Sequence, residues 1–263
     1  MQYENIIYKK EEYIVYITMN RPDVMNAINP QLSIEIDDAI NHFCGDLQAR
    51  VCIITGIGDK AFSVGNDLKY QAKYGAEHTF QEFAKCKGGF GGITFRFDCY
   101  KPIIAAVNGL AVGGGFEMAL ACDLIIASDS ASFSLPEPRV GMTPSAGGLH
   151  RLSRHIPYHL AMELVLSSKK ISAYEALNMG IINQVVSGKD LMDVAKSWSH
   201  EICKASPLAL RSCKESIIKG SGLPLDIALA TVLPEEKRLR CSADMIEGPK
   251  AFAEKRVPIW EDS

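Results

Sequence analysis

Residues 103–117 read IIAAVNGLAVGGGFE, a strand-length apolar run that passes through glycines into a helix start. Two further buried-strand runs lie on either side of it, VCIIT at 51–55, ended by Gly56 and Gly58, and LIIA at 124–127. Apolar strands separated by helical stretches fit a parallel sheet packed by helices on its faces, and they fit little else. Earlier in the chain, 13–19 (YIVYITM) is β-branched and aromatic and is stopped by Arg21-Pro22-Asp23. Asn29-Pro30 then opens a helix in which Leu32, Ile36, Ile40 and Phe43 recur at helical spacing. The expected fold class is α/β.

The segment 70–98 is different in kind. It mixes Tyr70, Tyr74, Phe80, Phe83 and Phe90 with the breakable run Gly88-Gly89-Phe90-Gly91-Gly92. Two readings stay open: a mobile wall over a pocket, or a helix pair tied down by core aromatics. From about residue 157 onward the chain reads as helical, with candidates at 160–166, 173–179, 191–202 and 208–218. Ser172 reads as an N-cap and Gly180 as the stop that follows. This tail is expected to be a separate cap or an oligomerisation arm.

With 263 residues the chain is long enough for a substantial core, and 47% hydrophobic with 22% charged residues is an ordinary globular balance. Twenty-eight basic against 31 acidic side chains, spread without a basic block, argue against nucleic acid as a partner. The first twenty residues carry early charges and no apolar run of signal-peptide length, and no apolar stretch reaches the roughly 20 residues needed to span a bilayer. A cytoplasmic protein with no membrane partner is the expectation. The eight cysteines contain no C-x-x-C pair and no Cys/His cluster with zinc spacing, so they read as reduced core thiols, and no metal is expected.

Three segments carry chemistry: 60–69 (KAFSVGNDLK), 107–117 (VNGLAVGGGFE) and 132–137 (SFSLPE) with the Pro- and Gly-rich stretch that follows. Consecutive glycines at a helix start let a ligand approach the main chain without meeting a Cβ. The free N–H groups of that first turn sit at the positive end of the helix dipole, where they bind a phosphate or an oxyanion. Glu117 in the same turn would repel phosphate. A carbonyl that turns negative only transiently is favoured, with the carboxylate left for proton chemistry. Gly109, Gly113 and Gly115 also loosely match a dinucleotide fingerprint, but they lie mid-chain and no acidic residue ends a strand about 20 residues later. Each glutamate has a plainer reading too. An acid is welcome at any helix N-terminus, and Glu137 beside prolines can serve as a loop ion-pair partner.

Taken together, NRPDVMNA (20–27), AFSVGNDLK (61–69), AAVNGLAVGGGFEMALACD (105–123), SFSLPEPRVGMTPSAGG (132–148) and AFAEKR (251–256) resemble the enoyl-CoA hydratase/isomerase, or crotonase, superfamily in its hydratase-like branch. The resemblance runs over essentially the whole chain in order and spacing. It implies a spiral of ββα turns over residues 1–200, carrying the coenzyme A and catalytic site, and a C-terminal helical trimerisation region over 201–263. It also implies homo-oligomers, either trimers or dimers of trimers. It places an oxyanion hole on the main-chain amides of Asn66 and Gly114, and a water-handling pair on Glu117 and Glu137. Of these, Glu117 is expected to activate water and Glu137 to exchange the C2 proton. Coenzyme A, present only as part of the acyl-CoA substrate, falls to Met25, Ala27, Asp67, Leu68 and Lys69, with Phe252 and Lys255 reaching a neighbouring subunit's ligand. For Lys69 and Lys255 a solvated surface lysine is an equal reading.

The implied activity is reversible addition of water across the 2,3 double bond of an acyl-CoA thioester. A double-bond isomerase or a thioester hydrolase is the enzymatic alternative, and an RNA-binding or acyl-CoA-sensing protein the non-enzymatic one. Two positions depart from the usual hydratase pattern. Asn66 stands where a smaller residue is common, its side chain set either to donate an extra hydrogen bond or to cap the helix, and Leu135 stands where a polar residue near the water is common. The ending EGPKAFAEKRVPIW (247–260) is similar to that of carnitinyl-CoA dehydratases and points to an unusual acyl group.

Overall fold

In the computed structural model, which describes residues 2–262, the chain opens with an antiparallel hairpin, β1 (Ile6–Glu11) and β2 (Ile14–Met19). The sequence reading missed β1, whose IIYKKE pattern is only partly apolar because the strand lies at the sheet edge with three of its six residues exposed. Helix α1 (Pro30–Gly45) follows, and Asn29 caps it by accepting from the Leu32 N–H at 2.9 Å. Three turns of one motif come next, each with a strand, a shorter strand and then helix. The first is β3 (Val51–Gly56), β4 (Ala61–Ser63), α2 (Leu68–Tyr74) and α3 (Ala76–Ala84). The second is β5 (Ile103–Val107), β6 (Leu110–Val112) and α4 (Gly114–Ala121). The third is β7 (Leu124–Ser128), β8 (Ser132–Ser134), α5 (Gly148–His155) and α6 (Tyr158–Ser167). After these come β9 (Ile171–Ser172), α7 (Ala173–Asn178), β10 (Gln184–Val186), α8 (Leu191–Ile202), α9 (Pro207–Gly220), α10 (Leu225–Ala230), α11 (Pro234–Arg240) and α12 (Ala243–Glu254).

The long strands form one sheet in the order β1-β2-β3-β5-β7-β10, and the short ones a second sheet in the order β4-β6-β8-β9. Strands β3, β5 and β7 are mutually parallel, as are β4, β6 and β8, which the helical crossovers of each turn demand. Alternation along β3 sends Ile53 to one face and Ile54 to the other. On the first face Ile53, Ile104, Ala106 and Ile126 pack against Leu191 and Ala195 of α8. On the second, Ile54 joins the larger core with Leu32, Ile36, Ile40 and Phe43 of α1. No helix among the described residues is long and apolar enough to cross a membrane.

The segment 70–98 contains the helix pair α2 and α3. Phe83 is buried, its ring 4.9 Å from that of Phe90, while Tyr74, Phe80, Phe95 and Phe97 are exposed. The stretch from 157 onward is interrupted by β9 and β10, which are too short to leave an apolar signature. Ser172 caps α7 in a full capping box with Glu175, as its spacing predicts. Cys52, Cys86, Cys99 and Cys122 are buried, but Cys213 and Cys241 are exposed and are not core thiols.

Candidate active site

The site forms where the small sheet hands over to helices. Strand β4 runs into Gly65 and Asn66, and β6 runs into Gly113 and α4. The intervening β6 was not foreseen. The chain does not pass directly from β5 into α4 but leaves the large sheet at Asn108-Gly109 and pairs as β6 between β4 and β8 first. Because β4 and β6 are parallel neighbours, their C-terminal ends meet. A Cβ built on Gly65, whose φ is +80°, would lie 2.8 Å from the Gly114 nitrogen. The peptides on either side of Asn66 are fixed by Ile28, which donates to Gly65 O at 2.7 Å and accepts from Asp67 N at 2.9 Å. Among the described residues neither the Asn66 N–H nor the Gly114 N–H has an acceptor. Two unpaired main-chain donors thus lie on adjoining segments, one of them at the positive end of α4.

The glycine triplet was expected to let a ligand approach the main chain without meeting a Cβ. Protein fills the space beside all three. A Cβ at Gly113 (φ +55°) would fall 2.5 Å from Glu137 Oε1, one at Gly114 2.3 Å from Phe90 Cε1, and one at Gly115 2.2 Å from the Ser63 carbonyl oxygen. The glycines let the Glu137 carboxyl, the Phe90 ring and β4 close on the start of α4, and the free N–H of Gly114 remains within that enclosure.

Glu117, in the first turn of α4, is 3% exposed. Its Oε1 accepts from the Gly148 N–H at 2.7 Å. Desolvation raises its pKa to about 7, the nearby Glu137 charge pushes in the same direction, and the Gly148 amide with Arg151 pulls against it. Glu137 opens the 3-10 turn Glu137–Val140 and is half-buried. Burial raises its pKa too, and its Oε2 is buried with no hydrogen-bond partner among the described residues. An orphaned carboxylate oxygen of this kind calls for a donor from outside the chain, a water or a substrate.

Asn66 does not cap α2. That role belongs to Asp67, which accepts from the Tyr70 N–H at 3.0 Å. The Asn66 amide instead donates to Gln71 Oε1 at 2.5 Å and leaves its Oδ1 buried and unpartnered. Leu135 is 1% exposed within the main core, so it offers no group to the glutamates. Met25, in the left-handed region at φ 52°, and Ala27 are brought to the same end of the small sheet, since the Val64 N–H donates to Met25 O. Leu68 and Lys69 are exposed on the first turn of α2. Phe252 on α12 and Lys255, the residue that caps its C-terminus, are exposed; α12 packs on α11, and a single chain does not bring them to the other site residues.

Sequence reasoning missed Arg21, Phe90, Gly148 and Arg151. Arg21 ties the two loops together by donating to Ala27 O and pairing with Asp67 at 3.0 Å. Its place beside Pro22 in a quoted motif was the one available signal. No group of three His, Cys, Asp or Glu side chains among the described residues is arranged to hold a metal ion.

Comparison with known proteins agrees with this architecture. The family model for enoyl-CoA hydratase/isomerase matches residues 9–263. Carnitinyl-CoA dehydratase of Escherichia coli K12 is 43% identical over 252 residues, covering 94% of this chain and 95% of that protein, and the Shigella flexneri protein matches equally. Among solved structures, an enoyl-CoA hydratase from Bacillus anthracis superposes with a TM-score of 0.91 at 33% identity, over 99% of this chain and 100% of the other. An enoyl-CoA hydratase from Mycobacterium tuberculosis H37Rv gives 0.89 at 35% identity, over 98% and 99%. With strand order, glycine turn and both glutamates in place, the match over nearly its whole length makes this chain a member of the enoyl-CoA hydratase/isomerase family.

Proposed function

We propose that this protein is a hydro-lyase that adds water to, or removes it from, the 2,3 position of an acyl-CoA thioester. The Asn66 and Gly114 amides donate to the thioester oxygen and stabilise the enolate-like state as charge builds there. A water held between the two carboxyls gives its proton to Glu117 as its oxygen bonds to C3, while Glu137 delivers a proton to C2. One proton has then moved from Glu137 to Glu117, and exchange with solvent resets the pair. One carboxyl must start ionised and the other protonated, and in this pair both acids are desolvated and the charge of one raises the pKa of the other. The observation that carries this reading is the orphaned Glu137 Oε2, in a site where the charge of Glu137 reaches the buried Glu117 carboxyl.

The 43% identity to carnitinyl-CoA dehydratases supports a 3-hydroxyacyl-CoA or 2-enoyl-CoA with a short polar acyl group as substrate. Met25, Ala27, Asp67, Leu68 and Lys69 would bind its coenzyme A part. The exposed apolar side chains of the C-terminal helices, with Leu225, Leu229, Ile246 and Phe252 each at least 73% exposed, support a homo-oligomer, a trimer or a dimer of trimers. Within it Phe252 and Lys255 would reach a neighbouring chain's ligand. A cytoplasmic location and the absence of nucleic-acid partners fit the balanced charge.

The test is a panel of 2-enoyl-, 3-enoyl- and 3-hydroxyacyl-CoA esters, carnitinyl-CoA among them, read by mass spectrometry. Gain or loss of one water on at least one ester is expected. Conversion of 3-enoyl-CoA without change of mass would instead show an isomerase, and release of free thiol a hydrolase.

A further inference from the structure

We propose that Arg151 is a positioning residue for Glu117, its guanidinium fixing both the loop that holds this carboxyl and the charge around it. The inference rests on the hydratase reading above. Arg151 lies on α5 and is mostly removed from solvent, and burial holds its pKa below the usual arginine range. A buried guanidinium ordinarily pairs with a carboxylate. This one does not: every hydrogen bond it makes among the described residues goes to a main-chain carbonyl, Thr94 O at 2.8 Å and Ala146 O at 3.5 Å. It also lies 5.8 Å from the centre of the Phe97 ring. Gly147, at φ +108°, makes room for it, since a Cβ there would sit 2.1 Å from Nη1. The acidic groups whose charge reaches it are Glu117 and the Cys122 thiol.

Two consequences follow for Glu117. Its amide donor is Gly148, and Arg151 donates to Ala146 O on the other side of the glycine that accommodates the guanidinium, so Arg151 braces the loop that holds the carboxyl. Its charge favours the ionised carboxylate and opposes the effect of Glu137. The surrounding groups leave this role to Arg151. Glu137, from the 3-10 turn, acts in the opposite sense. Cys122, at the end of α4, is a thiol whose pKa burial raises. His155, one turn along α5, has its pKa lowered first by burial and then by Arg151 itself. Arg96, on the 94–97 segment, is committed to Asp37 at 2.7 Å and Asp98 at 3.2 Å.

The experiment is the pH profile of kcat/KM for hydration of a 2-enoyl-CoA by the wild type, Arg151→Lys, Arg151→Gln and Arg151→Met, with thermal unfolding recorded for each. Without the positive charge the acidic limb is expected to move up by about half to one pH unit in the Gln and Met variants, and by a few tenths at most in Lys. KM should change little in all three. Profiles of Gln and Met that coincide with the wild type in position, or a Lys variant displaced as far as Gln, would overturn the proposal. So would failure of both neutral variants to fold, since Arg151 would then serve the fold alone. A wild-type protein that hydrates no ester would sink the parent reading and this one with it, whereas unmoved profiles on an active enzyme sink only this one.

Discussion

Glu117 shows most directly what the site costs the protein. A carboxyl with an ordinary value of 4.5 in the unfolded chain and about 7 in the native state binds its proton more tightly when folded. Its contribution to stability is therefore complete below about pH 4.5 and is lost as pH rises through about 7. At pH 8 the buried charge weighs against the fold by up to about 3 kcal/mol, the unit-by-unit conversion of that shift. Glu117→Gln keeps an oxygen for the Gly148 N–H and removes the charge. We expect this variant to be more stable than the wild type at pH 8, with the difference shrinking towards pH 5, as urea unfolding at the two values would report. Hydration should fall in the same variant by at least about a hundredfold, the range of a lost general base. The wild-type rate should itself fall as pH drops through 7, because water activation needs the ionised form. A Glu117→Gln protein of unchanged stability at pH 8 would place the carboxyl in a wetter setting than the one described.

At the scale of elements, the start of α4 and the Gly88–Gly92 turn behave as one packing unit. Gly114→Ala would drive a methyl into the Phe90 ring and is expected to cost about 1–3 kcal/mol by overpacking. Adding Phe90→Ala should return part of that loss, so a double-mutant cycle by urea unfolding should show a favourable coupling above about 0.5 kcal/mol. Additive effects would mean that the two segments do not touch. This contact also marks how far the sequence could be read. β3, α1 with its Asn29 cap and α8 were legible because long apolar periods and capping residues announce themselves locally. β6, β9 and β10 were not, since strands of two or three residues carry no period and owe their form to neighbouring strands. In the site, Glu117, Glu137 and Gly114 were singled out through the family resemblance, and the structure brings them together at the start of α4. Gly148 and Arg151 were not singled out, because their parts are played through contacts 31 and 57 residues away, at Glu117 and Thr94. The glycine triplet was located but misread, for only the folded chain shows that Glu137, Phe90 and Ser63 fill the space beside it.

For the whole molecule, the apolar surface of the last four helices and of the segment after them is the feature a single chain leaves unexplained. Leu229 and Phe252 on the helices, and Val257 and Ile259 beyond α12, are each more than 70% exposed. Light scattering after size exclusion should give a mass of three or six chains. The double variant Leu229→Asp and Phe252→Asp should shift it towards one, and a wild-type mass of one chain would refute the assembly. The central claim is that two main-chain donors and two glutamates add a water to a thioester, and it is tested most directly by incubating a 2-enoyl-CoA ester that the protein accepts in ¹⁸O-labelled water. Expected is a 3-hydroxyacyl-CoA with the label at C3 from the wild type, and almost none from Glu117→Gln or Glu137→Gln. Label found in a released carboxylic acid, or equal labelling at C3 by all three proteins, would contradict it.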